Sequence, residues 1–174
     1  MAVVEPTPPQ AGVPHTATVM VRQEDCLGFL RSLPSGSVDL LVTDPAYSGM
    51  NQHLRLGHGR IVGHYATPGN SRWFTEFHDD PGMFRAFLEE CHRVLRDDRH
   101  IYVMFDSYSL LSLGALMRER FDVKCVIVWD KVHLGMGHYF RRQHETIVFA
   151  TKGRRKLSRR DLTDVWSVPR LRRA

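Results

Sequence analysis

The chain has 174 residues, a formal net charge of +5 and a hydrophobic content of 43%, which is sufficient for one globular domain with a buried core. No apolar run approaches the ~18 residues that a membrane span requires, so we expect no membrane segment. The three cysteines form no C-x-x-C pair, which favours reduced thiols and a cytoplasmic protein over a disulfide-stabilised secreted domain.

The first part of the chain predicts a leader followed by the start of an α/β fold. Residues 1–15 are rich in proline and nearly uncharged, which predicts a disordered leader that is not a signal peptide. We predict a short strand at 17–22 and a helix at 24–33, whose leucines form one stripe. Residues 38–43, VDLLVT, are continuously apolar apart from Asp39 and Thr43, as in a strand buried on both faces of a parallel sheet.

The periodicity is lost between residues 48 and 78, where Gly, His, Asn and Ser are frequent. A loop of this length inside a compact domain is usually functional or mobile. Zinc sites require a closed set of ligands that normally includes cysteine. We therefore predict no metal site here and expect the four histidines of this loop to contact bases or phosphates.

Regular elements return after this loop. Asp80-Pro81 opens a helix with an apolar stripe, and further elements are predicted as a strand at 100–105, a helix at 107–120 and strands at 123–129 and 145–151. Alternating strands and helices predict an α/β fold with a parallel sheet. Because no helix separates the last two strands, we expect one of them to run antiparallel at the edge.

The tetrapeptide Asp44-Pro45-Ala46-Tyr47 directly follows the 38–43 strand. Ligands of open α/β sheets bind beyond the carboxyl ends of strands. Taken alone, however, an Asp-Pro turn is more often a plain connection with a capping aspartate and a packed tyrosine. The tetrapeptide by itself leaves both interpretations open.

A longer series of segments favours the binding site. EDCLGFLRSLPSGSVDLLVTDPAYSGM, ECHRVLRDDRHIYVMFD, VWDKVHLGMGHYFRRQHETIVFATKG and DVWSVPR resemble, in this order, segments of the β class of DNA amino-methyltransferases. These D-P-P-Y-type enzymes methylate N6 of adenine or N4 of cytosine in DNA. The resemblance extends over residues 19–170. It implies a Rossmann-like, S-adenosylmethionine-dependent methyltransferase sheet that is mostly parallel with one antiparallel edge strand, present only in part.

The resemblance assigns catalysis to the tetrapeptide. It implies that Asp44 and the Pro45 carbonyl accept hydrogen bonds from the target amine, and that Tyr47 stacks on a base flipped out of the duplex. Ala46 stands where the family usually has a second proline, so this loop keeps an N–H and is less constrained. An initial aspartate favours adenine N6, with cytosine N4 as the alternative.

The resemblance also implies S-adenosylmethionine as cofactor, with Asp25, Cys26 and Asp44 as candidate contacts. A helix N-terminal acid is the alternative role for Asp25. The family's glycine-rich cofactor strand has no counterpart among these segments. We therefore expect weak cofactor binding by this chain, and three explanations stay open: a truncated product, a second polypeptide or second copy that completes the site, or an abbreviated cofactor site.

Basic residues in the second half of the chain are candidate contacts to double-stranded DNA, with a solvated surface as the alternative. They are Arg141, Arg142, His144, Arg154, Arg155, Lys156, Arg159 and Arg160. The predicted organisation is a catalytic domain at 16–152 and a basic segment at 153–174. The predicted function is that of a DNA adenine-N6 methyltransferase, as in restriction-modification systems. The alternative is a non-catalytic remnant or subunit that binds DNA.

Overall fold

The structure is a computed structural model that describes residues 19–45, 80–135 and 140–169. Four features of the sequence lie outside the described residues, namely the predicted leader at 1–15, the irregular segment at 48–78, Ala46 and Tyr47.

The described helices are α1 (Cys26–Ser32), α2 (Pro81–Val94) and α3 (Ser107–Leu113), the last continued by a 3-10 helix at Gly114–Glu119. The strands are β1 (Val38–Thr43), β2 (Leu95–Phe105), β3 (Asp122–Asp130), β4 (His144–Lys152) and β5 (Val165–Ser167). Within these ranges, no helix combines the length and the apolar character that a membrane crossing would need.

The five strands form one sheet in the order β1-β2-β4-β3-β5. β1 is parallel to β2 and β3 is parallel to β5, whereas β4 is antiparallel to both of its neighbours. Four strands therefore share one direction, as expected of a Rossmann-like α/β sheet. The prediction of one antiparallel strand is confirmed, but its placement at the edge is wrong, because β4 lies between β2 and β3.

Burial explains why β4 occupies an inner position. The run from Ile147 to Thr151 is fully buried. Its alternate residues Val148 and Ala150 join the main core, while Ile147 and Phe149 join a second cluster on the opposite face. In the inner position, side chains of both neighbouring strands, β2 and β3, pack beside Ile147 and Phe149 on the second face, which removes more apolar surface from water than an edge position would.

The main core lies on one face of the sheet, under all the described helices. Phe84 and Leu88 of α2 pack there with Ile101 and Val103 of β2. On β1, Leu41 packs against this core, but Leu40 and Val42, which point to the other face, are 54% and 65% exposed. The expectation that this strand is buried on both faces is therefore wrong for the described structure, because its described helices all lie on the Leu41 side.

The sequence predictions of the remaining elements differ from the structure at four points, the first being that β2 begins at Leu95 rather than at residue 100. Residues 19–22 form no strand, since Val19 and Val21 are exposed and make no sheet pair in the described chain. The helix predicted at 107–120 changes to a 3-10 helix at Gly114, a poor α-helix former. β5 is a three-residue strand that is too short to show periodicity, and its pairing with β3 brings part of the predicted 153–174 segment into the sheet.

The turn after β4 anchors the basic segment to the start of β2. The Arg154 N–H donates to Asp98 Oδ1 at 2.7 Å, and the half-buried Lys152 amine donates to the carbonyls of His92 and Leu95 at 3.0 and 2.8 Å. Gly153 has a φ of +83°, and a Cβ there would lie 2.5 Å from Asp98 Oδ1 and 3.0 Å from its backbone nitrogen. This glycine is required by both conformation and space.

We expect Gly153→Ala to lower the free energy of unfolding by about 2–3 kcal/mol, because it combines a left-handed conformation with a close contact. Gly36→Ala is the matched control, since Gly36 has a φ of +60° and a Cβ there would meet no atom within 4 Å; it should cost about 1 kcal/mol. Urea unfolding of the two variants measures the difference. Equal losses would contradict the proposed contact with Asp98.

Candidate active site

Asp44 and Pro45 lie at the carboxyl end of β1, directly after the pair formed by Thr43 and Val103. Asp44 is exposed and Pro45 is half-buried. β1 is an edge strand of the described sheet, with β2 as its neighbour. The strand thus places an acidic side chain and a main-chain carbonyl together at the end of the sheet where ligands of open α/β folds bind.

Two further aspartates lie at this end of the sheet, and both stabilise local backbone. Asp106 follows β2 and accepts a hydrogen bond from the Ser109 N–H at 2.7 Å. Asp130 ends β3, and its Oδ1 accepts from the Gln143 side chain at 2.9 Å and the Val132 N–H at 2.8 Å. The hydrogen bond from Gln143, followed by that from Val132, lowers the pKa of Asp130. These two carboxylates hold the local backbone after β2 and after β3, at the end of the sheet that carries Asp44.

Arg141, Arg142 and His144 lie at the same end of the sheet as Asp44. They precede or begin β4, and the antiparallel direction of β4 places its first residues beside the last residues of β2, as the pair of Thr146 with Phe105 shows. The Arg142 guanidinium carbon lies 5.7 Å from the centre of the Tyr108 ring. Of the two predicted basic groups, this one lies at the same end of the sheet as Asp44.

The other basic group, Arg154 to Arg160, lies at the opposite end of the sheet. It follows Lys152, which pairs with Arg99 near the start of β2, whereas Asp44 follows the residue that pairs with Val103. Strand spacing separates the two positions by about 20 Å. The group lines an open cavity of about 510 Å³ together with side chains of β3 and β4. Arg159 is already paired with Asp161, with contacts of 3.0 and 2.6 Å.

Asp25 and Cys26, the candidate cofactor contacts, lie at the start of α1. Asp25 is the N-cap of this helix, and its Oδ1 accepts from the Gly28 N–H at 3.0 Å, so it fills the alternative role of a helix N-terminal acid. Burial, and then the neighbouring Asp25 charge, raise the pKa of the Cys26 thiol, so this thiol is not an activated nucleophile.

A cavity of about 410 Å³ lies in front of α1, and residues on both sides of Asp25 line it. Its lining comprises Met20, Val21, Arg22, Glu24, Cys26 and Phe29. The volume is within the range of small-ligand sites. The aromatic ring, apolar side chains and carboxylate of this lining suit the base and ribose of a nucleoside. The Arg22 guanidinium carbon lies 5.9 Å from the centre of the Phe29 ring and Arg22 pairs with Glu24 at 3.5 Å, so a bound nucleoside would displace Arg22.

Sequence reasoning overlooked two features of this end of the sheet. One is Tyr108, which the sequence shows only as a tyrosine two residues after Asp106. The other is the bond between Asp130 and Gln143, which joins the end of β3 to the residue before β4. Of these two features, only the role of Asp130 could have been inferred from the sequence, because an aspartate at a strand end commonly caps the following turn.

Comparisons with known proteins agree with this architecture. The family model described as DNA methylase, of the N6/N4 type, matches residues 38–172. The type II methyltransferase M.HinfI of Haemophilus influenzae is 26% identical over 135 residues, covering 74% of this chain and 36% of the relative. M.HhaII of Haemophilus parahaemolyticus is 24% identical over 151 residues, covering 81% of this chain and 62% of the relative.

The fold has a counterpart among solved structures. TTHA0409 of Thermus thermophilus, assigned as a DNA modification methylase, superimposes with a TM-score of 0.51 at 16% identity, covering 82% of this chain and 63% of that one. The chain thus spans less than two thirds of the length of each of these three proteins. Since the family model matches most of the chain, from β1 to beyond β5, the chain belongs to the N6/N4 DNA methylase family.

Proposed function

We propose that this chain carries the target-amine site of a DNA amino-methyltransferase, which transfers a methyl group from S-adenosylmethionine to N6 of adenine in double-stranded DNA. One observation carries the proposal: Asp44 and Pro45 stand together at the carboxyl end of β1 in a sheet of this family. The related type II methyltransferases support DNA as the substrate. The reduced cysteines of the described chain are consistent with action on DNA in the cytoplasm.

The chemistry needs two acceptors because an exocyclic amine is a poor nucleophile. Its lone pair is delocalised into the base. The Asp44 carboxylate and the Pro45 carbonyl, placed on the two N–H bonds, favour the form in which the lone pair is localised on nitrogen. The base must leave the duplex to reach them. By sequence, Ala46 and Tyr47 complete the loop, with Tyr47 as the stacking partner of the flipped base.

The cofactor supplies a methyl group on a positively charged sulfur. Among the described residues, the cavity in front of α1 fits its nucleoside part, with Phe29 as the aromatic wall and Glu24 as the polar group. Asp25 shapes this cavity through its hydrogen bond to Gly28, and Cys26 lines it directly. Asp44 would lie on the side of the transferred methyl group. Completion of the site by a second copy of this chain is part of this proposal, whereas a required second polypeptide would predict no methylation by the purified chain.

Mass spectrometry of nucleosides tests the function. Duplex DNA from a methylation-deficient host is incubated with the purified chain and millimolar S-adenosylmethionine that carries a deuterated methyl group. We expect deuterated N6-methyladenine. Deuterated N4-methylcytosine would support the alternative base, and the absence of any labelled base would overturn the proposed activity for this chain.

Cofactor affinity is a separate prediction. Because Asp44 lies at the end of an edge strand, the described sheet covers the catalytic position from the β2 side only. We therefore expect S-adenosylmethionine to bind this chain weakly, with a Kd in the range of about 0.1–1 mM. Isothermal titration calorimetry measures it, with Phe29→Ala as the variant that should abolish binding. Tight stoichiometric binding would contradict the idea of an incomplete cofactor site.

A second candidate function is a non-catalytic DNA-binding remnant. Two basic groups on one small domain favour this function, because contacts to the phosphate backbone of DNA are sufficient for nonspecific binding. This alternative predicts duplex binding with no labelled base in the assay above. The two functions are therefore separated by the same preparation of protein.

A further inference from the structure

Just beyond the carboxyl end of β2, the exposed ring of Tyr108 lies beneath the guanidinium group of Arg142. Tyr108 is 61% exposed, and the Arg142 guanidinium carbon lies 5.7 Å from the centre of its ring. The pair joins the start of α3 to the segment that precedes β4. It therefore lies at the end of the sheet that carries Asp44.

The exposure of Tyr108 follows from the way α3 packs. Ser109 and Leu113, one helical turn apart, are the buried residues of this helix. Tyr108 and Leu111, three residues apart, lie on the opposite face, and Leu111 is 85% exposed. The core-facing side of this helix is formed by Ser109 and Leu113, so Tyr108 belongs to its solvent-facing side.

Hydrogen bonds hold the backbone that carries Arg142. The Gly135 N–H donates to the Arg142 carbonyl at 2.7 Å, and the Lys131 N–H donates to the Gln143 carbonyl at 2.9 Å. Arg141 Nε donates to the Gly135 carbonyl at 2.8 Å. A Cβ at Gly135 would lie 2.6 Å from the Arg142 carbonyl oxygen, so glycine permits this close approach. Arg142 is thus presented from a fixed main chain.

Distance places the pair beside the target position. Strands lie about 4.8 Å apart and advance about 3.3 Å per residue, so Tyr108 lies on the order of 10–15 Å from Asp44. That distance corresponds to roughly three or four nucleotide steps of about 3.4 Å. A DNA strand whose target base reaches Asp44 would therefore bring a nucleotide roughly three or four steps away to Tyr108.

We propose that Tyr108 and Arg142 form a nucleic-acid contact in which the ring stacks on an unpaired base and the guanidinium binds the adjoining phosphate. An aromatic face combined with a cation is the arrangement that binds single-stranded nucleic acid without reading its sequence. Phe140 and Arg141 are both exposed and directly precede Arg142 in the sequence. They add a second aromatic ring and a second cation to this surface. The inference rests on the proposed function for its choice of DNA, but it concerns a nucleotide roughly three or four steps from the methylated base, and it requires that this nucleotide is also unpaired in the bound DNA.

The test uses fluorescence anisotropy of a labelled oligothymidine of about 20 nucleotides, long enough to span a single-strand site, across a salt series and without cofactor. We expect Tyr108→Ala to weaken binding by about 5- to 100-fold, with an unchanged salt slope, because stacking releases no counterions. Tyr108→Phe should retain the affinity. Arg142→Gln should flatten the slope by about 0.7, the value for one phosphate contact on a single strand.

Two controls match these variants. Leu111→Ala removes an exposed apolar side chain from the same helix and should leave the affinity unchanged, because leucine offers no ring to stack on. Arg118→Gln removes the same charge from the exposed surface of the 3-10 helix and should have a smaller effect on the slope than Arg142→Gln. Equal losses for Tyr108→Ala and Leu111→Ala would overturn the stacking contact.

The outcome is separable from that of the proposed function. If the wild-type chain methylates DNA and Tyr108→Ala binds and methylates like wild type, the contact is wrong while the function stands. If the wild-type chain binds the oligonucleotide through Tyr108 but labels no base, the contact stands while the catalytic function is wrong. Failure of the wild-type chain to bind the oligonucleotide at micromolar concentrations would overturn the contact.

Discussion

Asp44→Ala should reduce methyl transfer to DNA by at least about 10²- to 10³-fold, the scale observed when one preorganised polar contact to a reacting group is removed. The fold should persist, because Asp44 is exposed at the end of an edge strand and lies outside the main core. Labelled nucleosides measured by mass spectrometry give the rate. Asp44→Asn should fall between wild type and Asp44→Ala, since an amide oxygen still accepts a hydrogen bond but carries no charge.

Asp39→Asn is the matched control for this loss. Asp39 lies on the same strand, but its carboxylate is held by Arg96 and Arg99, near the strand's opposite end. Hydrogen bonds from Arg99 and then Arg96 lower the pKa of Asp39, in keeping with a structural ion pair. The variant should methylate DNA at the wild-type rate. Near-wild-type activity in Asp44→Ala would contradict the proposed role of Asp44.

Replacing Arg154, Arg155 and Arg160 with glutamine should flatten the salt dependence of duplex binding by a slope of about 2.7, or roughly 0.9 for each of three lost phosphate contacts. Affinity should fall for all duplex sequences alike, because phosphate contacts do not read bases. Fluorescence anisotropy across a salt series measures both quantities. The group lies about 20 Å from Asp44 by strand spacing, so the kcat at saturating DNA should stay unchanged while the KM for DNA rises.

Arg159→Gln is the control within the same segment. Its guanidinium is already paired with Asp161 through two hydrogen bonds, so it should contribute less to the slope than its neighbours. Lys156 belongs to the same group and lines the same cavity, so its replacement should flatten the salt slope as much as the loss of one of the three arginines. An unchanged slope in the triple variant would mean that the segment only keeps the protein soluble. Duplex contact would then rest on Arg141, Arg142 and His144.

Elements with local signals could be predicted from the amino-acid sequence. Asp80 and Pro81 predicted the start of α2, and the structure shows Asp80 accepting hydrogen bonds from two N–H groups of the first turn. The apolar run at 38–43 predicted β1, and the ordered set of motifs predicted the family. The start of α2 and the position of β1 depend on neighbouring residues, so propensity, capping and periodicity are enough to find them, whereas the family rests on resemblance.

The sequence could not predict which distant residues lie together, because strand order and direction depend on pairings between segments far apart in sequence. The placement of β4 between β2 and β3 brings Arg142 to Tyr108, at the end of the sheet that carries Asp44. The same antiparallel strand carries Arg154 and its neighbours to the opposite end. From charge alone, the two basic groups could not be distinguished. The antiparallel direction of β4 places them at opposite ends of the sheet.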